Sequence, residues 1–356
     1  MTKKILISTG GSGGHVVPAT ILHEHLKDQF EVFMTSDNRG IKFLNKDKYD
    51  LTIFNVAPIS KNILLLPFQF FLVVYLVIKS IIFLRKKKID ILFSTGGYMS
   101  LPLCLASKIL NIRLLLFEPN MVLGRSNKFF VNYCEKIFCY SDNIKNLPYN
   151  SRCKIIVIPA LLRKQFYEFK RNNDLSVCIN LLIIGGSQGA KIFDTLIKMS
   201  VTKLSKKYKL KIYHQTDLNN FDILKKTYED INIDYELFDF NEDILFFMNK
   251  SNICITRAGA STLAELVFLN LPHLAIPLPT AKDNHQVENA FFYNQIGCNW
   301  ILNQNEINEN IVANALVNII DNKSDYLEKK KNMKNFSYQN TWNNVNQKIM
   351  LVINEN

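Results

Sequence analysis

His15 stands directly behind a glycine-rich turn, Thr9-Gly10-Gly11-Ser12-Gly13-Gly14, which itself follows the apolar run Ile5-Leu6-Ile7. An imidazole in that setting can take a proton from a sugar hydroxyl or donate a hydrogen bond to a phosphate; the plainer alternative is a histidine that only caps a helix. Glycines let the backbone approach a ligand closely, and the N–H groups at a helix start favour negative charge. The turn and the helical stretch Val16 to Leu26 therefore read as an anion site. A second unit of the same kind is Leu181-Leu182-Ile183-Ile184-Gly185-Gly186-Ser187-Gln188-Gly189-Ala190. Two strand–glycine–helix units far apart in one chain predict two nucleotide-binding-like halves facing a shared cleft.

Other polar clusters stand at comparable places. A fourth glycine pair, Gly96-Gly97, follows the run Ile89–Ser94. In an open α/β sheet, ligands bind outside the carboxyl ends of the strands, so these turns point the same way. The first turn is not a Walker A loop, because no Gly-Lys-Ser/Thr follows. It also departs from dinucleotide spacing, and no clean ribose acid ends the next strand. Arg257-Ala258-Gly259-Ala260-Ser261-Thr262-Leu263-Ala264-Glu265 follows another apolar run; Ser261 and Thr262 can cap a helix there. Glu265 falls in the first turn or two, where a carboxylate can accept both hydroxyls of a ribose or merely complement the helix dipole. In Pro277-Leu278-Pro279-Thr280-Ala281-Lys282-Asp283-Asn284-His285-Gln286, the last two residues offer donors and acceptors suited to sugar hydroxyls, and Asp283 suits an N-cap. Phe117-Glu118-Pro119-Asn120-Met121-Val122-Leu123-Gly124-Arg125-Ser126-Asn127 adds a carboxylate and amides at the same edge.

Short apolar runs alternating with longer helical patterns must carry these loops, which is the mark of parallel α/β architecture. The expected strands of the first half are Ile5–Ser8, Glu31–Thr35, Leu51–Val56, Ile89–Ser94, Arg113–Phe117, Lys136–Cys139 and Lys154–Ile158. Those of the second half are Asn180–Ile184, Lys211–His214, Ile233–Phe238, Ile253–Thr256, His273–Ile276 and Asn299–Leu302. The charged stretch Pro159 to Asp174 reads as a connection between domains. After Asn335 a helical tail places Trp342, Val345, Ile349 and Val352 at helix-like intervals and could pack back on the first domain. The expected organisation is a first domain over 1–160, a second over 161–335, and this tail over 336–356.

With 356 residues, 48% of them hydrophobic, the chain has enough for two cores. Its 43 basic and 31 acidic residues give a net charge of +12, which suits a phosphorylated substrate, a nucleic acid or an acidic membrane face. No stretch combines dense Lys/Arg with base-stacking aromatics, so nucleic acid is not an expected partner. Seven cysteines without a CxxC pair point to reduced thiols in the cytoplasm and to no zinc site. The first strand begins almost at once, so no signal peptide is expected. The segment Ile63 to Leu84 is nearly continuous apolar sequence followed by Arg85-Lys86-Lys87-Lys88. Its length is near the ~20 residues of a membrane span. Pro67, Gln69, Lys79 and Ser80 interrupt it, however, and a parallel sheet needs a crossover helix at this point. A helix buried on one side with its other face in the membrane surface is the reading preferred over a wholly buried crossover.

Taken together, GGSGGHVVP, GGYMSLP, FEPNMVLGRSN, GGSQGA, RAGASTLAE and PLPTAKDNHQ, in this order, resemble the MurG family: bacterial transferases that add N-acetylglucosamine to lipid I to make lipid II. The likeness spans nearly the whole chain. It implies the GT-B fold, two Rossmann-like doubly wound domains facing across a cleft, with UDP-N-acetylglucosamine held mainly by the second. On the donor, the resemblance implies Ser12, Gly13 and Gly14, Asn120 at the sugar, Ser187 and Gln188 at the diphosphate and sugar, backbone near Asn241 at the uracil edge, Glu265 at the ribose, and His285 and Gln286 at the N-acetylglucosamine. Gly10, Gly11, Gly96, Gly97 and Tyr98 are implied for the lipid-linked acceptor. Two departures stand out. Phe117-Glu118-Pro119-Asn120 replaces the family's His-Glu-Gln-Asn, and Pro159-Ala160-Leu161-Leu162-Arg163 replaces its Gly-Asn-Pro-x-Arg, which leaves Arg163 displaced on its way to the diphosphate.

The expected reaction is attack of the C4 hydroxyl of the N-acetylmuramoyl sugar on the anomeric carbon of the donor, with inversion and with His15 as base. The helix start after Gly186 would stabilise departing UDP. No Asp-x-Asp motif stands at a suitable turn, and neither metal nor cofactor is expected. The expected location is cytoplasmic, peripheral on the inner face of the cell membrane. Three other functions share parts of this pattern: a diacylglycerol glycosyltransferase, a non-catalytic nucleotide-sugar-binding protein, and a dinucleotide-dependent oxidoreductase.

Overall fold

A computed structural model of the chain describes residues 2–56, 66–169, 174–186, 191–239 and 243–355. Ser187, Gln188 and Asn241, residues 63–65 of the apolar segment, and Arg171-Asn172-Asn173 of the expected connection lie outside the described residues. The chain divides into two compact units, Met1–Leu161 with Asn343–Asn356, and Leu162–Trp342.

The first unit holds strands β1 (Lys4–Ser8), β2 (Glu31–Ser36), β3 (Leu51–Ile53), β4 (Ile91–Ser94), β5 (Arg113–Glu118), β6 (Lys136–Cys139) and β7 (Ile155–Val157). They form one sheet in the order β3-β2-β1-β4-β5-β6-β7, every pair parallel. The connecting helices are α1 (Gly13–Leu26), α2 (Leu66–Lys87), α3 (Ser100–Ile109) and α4 (Arg125–Phe130). In the second unit, α5 (Lys164–Glu168) precedes β8 (Cys178–Ile184), α6 (Lys198–Leu204), β9 (Lys209–Gln215), α7 (Phe221–Asp230), β10 (Asp234–Phe238), α8 (Ile244–Lys250) and β11 (Ile253–Thr256). Then come α9 (Ala260–Phe268), β12 (His273–Ala275), α10 (His285–Gln295), β13 (Trp300–Ile301), α11 (Glu309–Asp321) and α12 (Lys323–Ser337). The order of this sheet is β10-β9-β8-β11-β12-β13, again all parallel. Each sheet reverses its order beside its first strand, the doubly wound arrangement that opens a crevice between β1 and β4 and between β8 and β11.

Every expected strand is present. Buried on both faces, central strands read as unbroken apolar runs, which is why Ile5-Leu6-Ile7 and Leu181 to Ile184 are fully buried. The edge strand beginning at Leu51 is shorter than expected; beyond it Phe54 is buried with its N–H still donating to the Ser36 carbonyl at 2.9 Å, and Val56 is buried outside the strand.

α2 is the crossover between β3 and β4. Its residues Phe68–Lys87 are long and apolar enough to cross a membrane. Leu76, Ser80 and Leu84 are buried, whereas Phe68, Phe71, Tyr75, Ile78 and Ile82 are exposed, Phe68 to 71% and Phe71 to 70%. A wholly buried crossover is thereby ruled out, because a 3.6-residue period sorts these positions onto opposite sides of one helix. The buried side is tied down by an edge-on contact of Phe83 with Phe54 and by an ion pair of Lys87 with Asp50 at 3.0 Å.

The last helix, α13 (Trp342–Asn354), buries Val345, Ile349 and Val352. Its final carbonyls are met by cations of the first unit, as a helix C-terminus favours. Lys3 Nζ donates to the Ile353 carbonyl at 2.7 Å; Arg113 donates to the carbonyls of Ile353 (3.1 Å) and Val352 (3.0 Å) while gripping both carboxylate oxygens of Glu135. His25 of α1 is buried, and burial pushes its pKa down to about 4 although a hydrogen bond with Asn346 of α13 opposes the shift. Because the folded pKa lies below that of the unfolded chain, the unfolded state binds the proton first. Stability is therefore full above pH 6.5 and falls as pH drops toward 4. His25→Gln, which cannot charge, should remove about 2 kcal/mol of the stability loss between pH 7 and pH 5. Urea unfolding of both proteins at the two pH values measures it; parallel losses would show that His25 does not carry the effect.

Candidate active site

In the first unit, the β1–α1 turn and the end of β4 flank the sheet's switch point. His15, in the first turn of α1, reaches across it: its Nδ1 lies 2.7 Å from the Thr95 carbonyl oxygen. A carbonyl can only accept, so Nδ1 carries the proton, and in the neutral ring the lone pair falls on Nε2. Gly96 and Gly97 have φ of +89° and +86°, and a Cβ on Gly96 would sit 3.3 Å from His15 Cε1. Only glycine meets both demands, left-handed backbone and contact with an imidazole face. Ser12 is the N-cap residue of α1 in extended conformation, and its side chain makes no capping bond. Gly13 and Gly14 open the helix, and Tyr98 is exposed just beyond the glycine pair.

Sequence reading missed Asp37. It follows β2 directly, the place where dinucleotide-binding folds keep their ribose acid. Its carboxylate is turned inward. Oδ1 accepts from the N–H groups of Gly11 and Gly40, both at 2.8 Å, and Oδ2 accepts from Arg39 Nε at 2.8 Å. These bonds hold its pKa below the usual carboxylate range against the opposing effect of burial. Glu118 is likewise saturated. Oε1 accepts from the backbone N–H of Asn120 (3.2 Å) and its Nδ2 (2.9 Å); Oε2 accepts from Gly124 N–H (2.7 Å) and Asn127 Nδ2 (3.0 Å). The segment thus does not present a carboxylate to a ligand; Glu118 is buried and shapes the loop that carries Asn120.

In the second unit, Gly185 and Gly186 end β8, and the Gly185 N–H donates to Gln215 Oε1 at 3.1 Å. Gly186 has φ +75° with open space where a Cβ would stand. Helix α9 starts on Gly259, not on a side-chain cap: Ser261 and Thr262 lie inside its first turn, because Gly259 itself supplies the extended entry. Glu265, in the second turn, is buried and ion-paired with Arg163 at 3.2 Å. Burial raises its pKa, and the Arg163 charge pulls the other way. Arg163 and Glu265, singled out for different parts of one ligand, are thus neighbours. Gln286 Oε1 accepts from the N–H groups of Ala258 (3.2 Å) and Leu278 (3.0 Å), so its oxygen fixes two loops and its amide N–H groups are the part suited to a ligand. His285 Nδ1 donates to the Lys282 carbonyl at 2.7 Å at the start of α10, after two left-handed residues, Asp283 and Asn284. Asn284, and not Asp283, is the N-cap. Arg257, which opens the motif quoted from the sequence without a role of its own, is buried over the Phe193 ring and donates to the Ile276 carbonyl at 2.9 Å. Among the described residues no group of three or more His, Cys, Asp or Glu is placed to hold a metal ion.

Residues 5–139 match the glycosyltransferase family 28 N-terminal domain, and residues 180–344 its C-terminal domain. The chain is a glycosyltransferase with two Rossmann-like domains. Over 356 residues, all of both chains, it is 67% identical to the UDP-N-acetylglucosamine–N-acetylmuramyl-(pentapeptide) pyrophosphoryl-undecaprenol N-acetylglucosamine transferase of Pelagibacter ubique (strain HTCC1062). It is 35% identical to the enzyme of that name from Rickettsia bellii (strain RML369-C), over 90% of this chain and 91% of the relative. It belongs to this transferase family. The crystal structure of Acinetobacter baumannii MurG shares the fold, with a TM-score of 0.75 at 23% identity over 99% of each chain.

The bond to Thr95 predicts that neutral His15 is the Nδ1–H tautomer. Imidazole ¹⁵N shifts should report a protonated Nδ1 and an unprotonated Nε2, and Gly96→Ala should disturb both signals. A dominant Nε2–H form in the native protein would refute the assignment.

Proposed function

We propose that this chain transfers N-acetylglucosamine from UDP-N-acetylglucosamine to the C4 hydroxyl of the N-acetylmuramoyl sugar of lipid I, forming lipid II for peptidoglycan synthesis. The activity for which the family relatives are named supports the substrates. The observation that carries the chemistry is the orientation of His15, whose Nδ1 is held by a backbone carbonyl so that Nε2 can accept a proton. The hydroxyl proton passes to Nε2 as the oxygen bonds to the anomeric carbon from the face opposite the leaving group. The carbon–oxygen bond to the diphosphate breaks, and its electron pair leaves on UDP, giving a β-1,4 link. A neutral carbonyl behind the imidazole, in place of a carboxylate, orients the ring without adding a formal charge.

For the donor, Glu265 accepts the ribose hydroxyls and Arg163 beside it meets the diphosphate, which accounts for keeping a carboxylate and a guanidinium in contact in a buried place. Ser187 and Gln188 stand at the diphosphate and sugar, where a helix start would suit the charge of departing UDP. Backbone near Asn241 reads the uracil edge. His285, the amide of Gln286 and Asn120 contact the N-acetylglucosamine, and Ser12, Gly13 and Gly14 complete the donor contacts. Gly10, Gly11, Gly96, Gly97 and Tyr98 receive the acceptor. The enzyme works on the cytoplasmic face of the membrane as a peripheral protein. The exposed apolar side of α2 enters the headgroup–acyl boundary, and Arg85, Lys86 and Lys88 at its end meet anionic headgroups.

Radiolabelled UDP-N-acetylglucosamine incubated with lipid I should yield labelled lipid II, and with diacylglycerol no product; the reverse outcome would reassign the acceptor. His15→Ala should lower turnover by about 10²–10⁴-fold, the range of a lost general base, while binding of UDP-N-acetylglucosamine changes little. Native turnover in that variant removes His15 from the reaction. Replacing Phe68 and Phe71 by Ser should weaken cosedimentation with anionic vesicles while turnover of a short-chain, water-soluble acceptor persists. Unchanged vesicle binding would place the contact elsewhere.

A further inference from the structure

The Arg39 side chain lies beside the first glycine turn. A Cβ on Gly11 would be 3.9 Å from its Nη2. It is steered there by Asp37, whose Oδ2 takes Nε at 2.8 Å and Nη2 at 2.6 Å. The same carboxylate fixes the turn itself through Gly11 N–H and also takes Gly40 N–H. Gly40 packs so close that a Cβ there would lie 2.3 Å from Ser36 Oγ and 2.9 Å from Gly10 Cα. Turn, carboxylate and guanidinium are therefore one rigid assembly. Its two charges differ sharply in access: the Asp37 side chain is 4% exposed and the Arg39 side chain 51%. The negative end is shielded behind four N–H bonds, and the positive end faces water.

A guanidinium held on one edge by a buried carboxylate retains its other donors in fixed directions. That pre-organisation lowers the cost of gripping a second anion and suits the paired oxygens of a diphosphate better than a flexible ammonium would. We propose that Arg39 binds the diphosphate of the polyprenyl-linked acceptor and that Asp37 is the positioning residue that aims it. The assembly belongs to the same turn as His15, four residues after Gly11, so a diphosphate held here is anchored close to the proposed base. The inference rests on the lipid I reading, and it commits to the prenyl diphosphate over the diphosphate of the nucleotide sugar.

The test is steady-state kinetics of full-length wild type, Arg39→Ala, Arg39→Lys and Asp37→Asn with lipid I and UDP-N-acetylglucosamine varied in turn. Wild-type transfer to lipid I establishes the underlying reading separately; its absence would sink that reading. Given transfer, Arg39→Ala should raise the acceptor KM at least tenfold and leave the donor KM within twofold. Arg39→Lys, which keeps charge but not the fork, should fall between. In Asp37→Asn the remaining carbonyl oxygen can still accept from Gly11 and Gly40 while the grip on the guanidinium is lost. It should raise the acceptor KM and leave the donor KM within twofold, while the lost ion pair lowers the melting temperature. Farnesyl diphosphate should compete with lipid I in wild type and lose at least tenfold in potency in Arg39→Ala, with farnesol inactive against both. An unchanged acceptor KM in Arg39→Ala, or a rise confined to the donor KM, overturns the proposal. So does farnesyl diphosphate inhibition that is indifferent to residue 39.

Discussion

A parallel sheet that reverses its strand order beside its first strand leaves a crevice there, because the two following connections depart to opposite faces. Both units are built on this constraint. In the first, the crevice separates the ends of β1 and β4, and the bond from His15 to the Thr95 carbonyl crosses it. In the second, it separates β8 and β11, and there the Arg257 N–H donates to the Ile184 carbonyl at 3.3 Å. Chemistry-bearing residues gather at these ends because helix starts and irregular turns meet there with unpaired N–H groups. The apolar strands behind them provide the rigidity. Ile5, Leu6 and Ile7 in one sheet and Leu182 and Ile183 in the other are inaccessible to water, so the turns are mounted on backbone that cannot shift without opening a core.

The buried carboxylates share one logic. Asp37 and Glu118 are each ringed by N–H donors from turns of the first unit, and each converts an irregular loop into a fixed shape. A buried carboxylate with several N–H partners is costly to disrupt, which makes it a scaffold. Glu265 differs: its partner is a guanidinium, and there burial outweighs the partner, so its pKa is raised where hydrogen bonds leave that of Asp37 lowered. A polar ligand that bonds to both members of that pair can share their interaction without leaving a buried charge uncompensated, whereas removing one member would. The first unit's acids are thus structural, and the second unit's acid is the one whose surroundings suit a ligand.

Much of this was legible from residues alone, because the signals were local. Short apolar runs marked the strands, and glycine pairs marked the carboxyl ends of β1, β4 and β8. Strand boundaries shifted by a few residues where, as at Val56, a side chain is buried beyond the end of the strand. The tail's pattern of Val345, Ile349 and Val352 marked a helix with a buried side. What could not be read depended on partners distant in sequence. The tautomer of His15 is set by a carbonyl 80 residues away. The saturation of Glu118 comes from amides two to nine residues on, whose directions only the folded loop defines. Asp37 escaped notice because Ser36-Asp37-Asn38-Arg39-Gly40 reads as an ordinary polar turn; its position after β2 was the usable signal.

The helix α2 shows how composition and topology arbitrate between membrane and core. By length and apolarity alone it qualifies as a span. Yet β3 and β4, which it connects, lie in one sheet with β1 and β2, and a segment that crossed a bilayer could not return to the same sheet without a second crossing. The remaining alternatives are separated by which residues touch protein. Leu76, Ser80 and Leu84, four apart, pack inward; Phe71, Tyr75, Ile78 and Ile82 form the opposite, exposed side. A core helix would not leave that side bare, since each such side chain forgoes about 1.5–3 kcal/mol of burial in water. A bilayer surface would recover part of it, and the lysines and arginine that follow would attract anionic headgroups there. Since a lipid-linked substrate never leaves the bilayer, an enzyme that acts on it must bring its own site to that surface. An apolar helix in the crossover that leads into β4, the strand followed directly by Thr95, ties its exposed apolar side and the carbonyl that orients the imidazole to one unit of the chain.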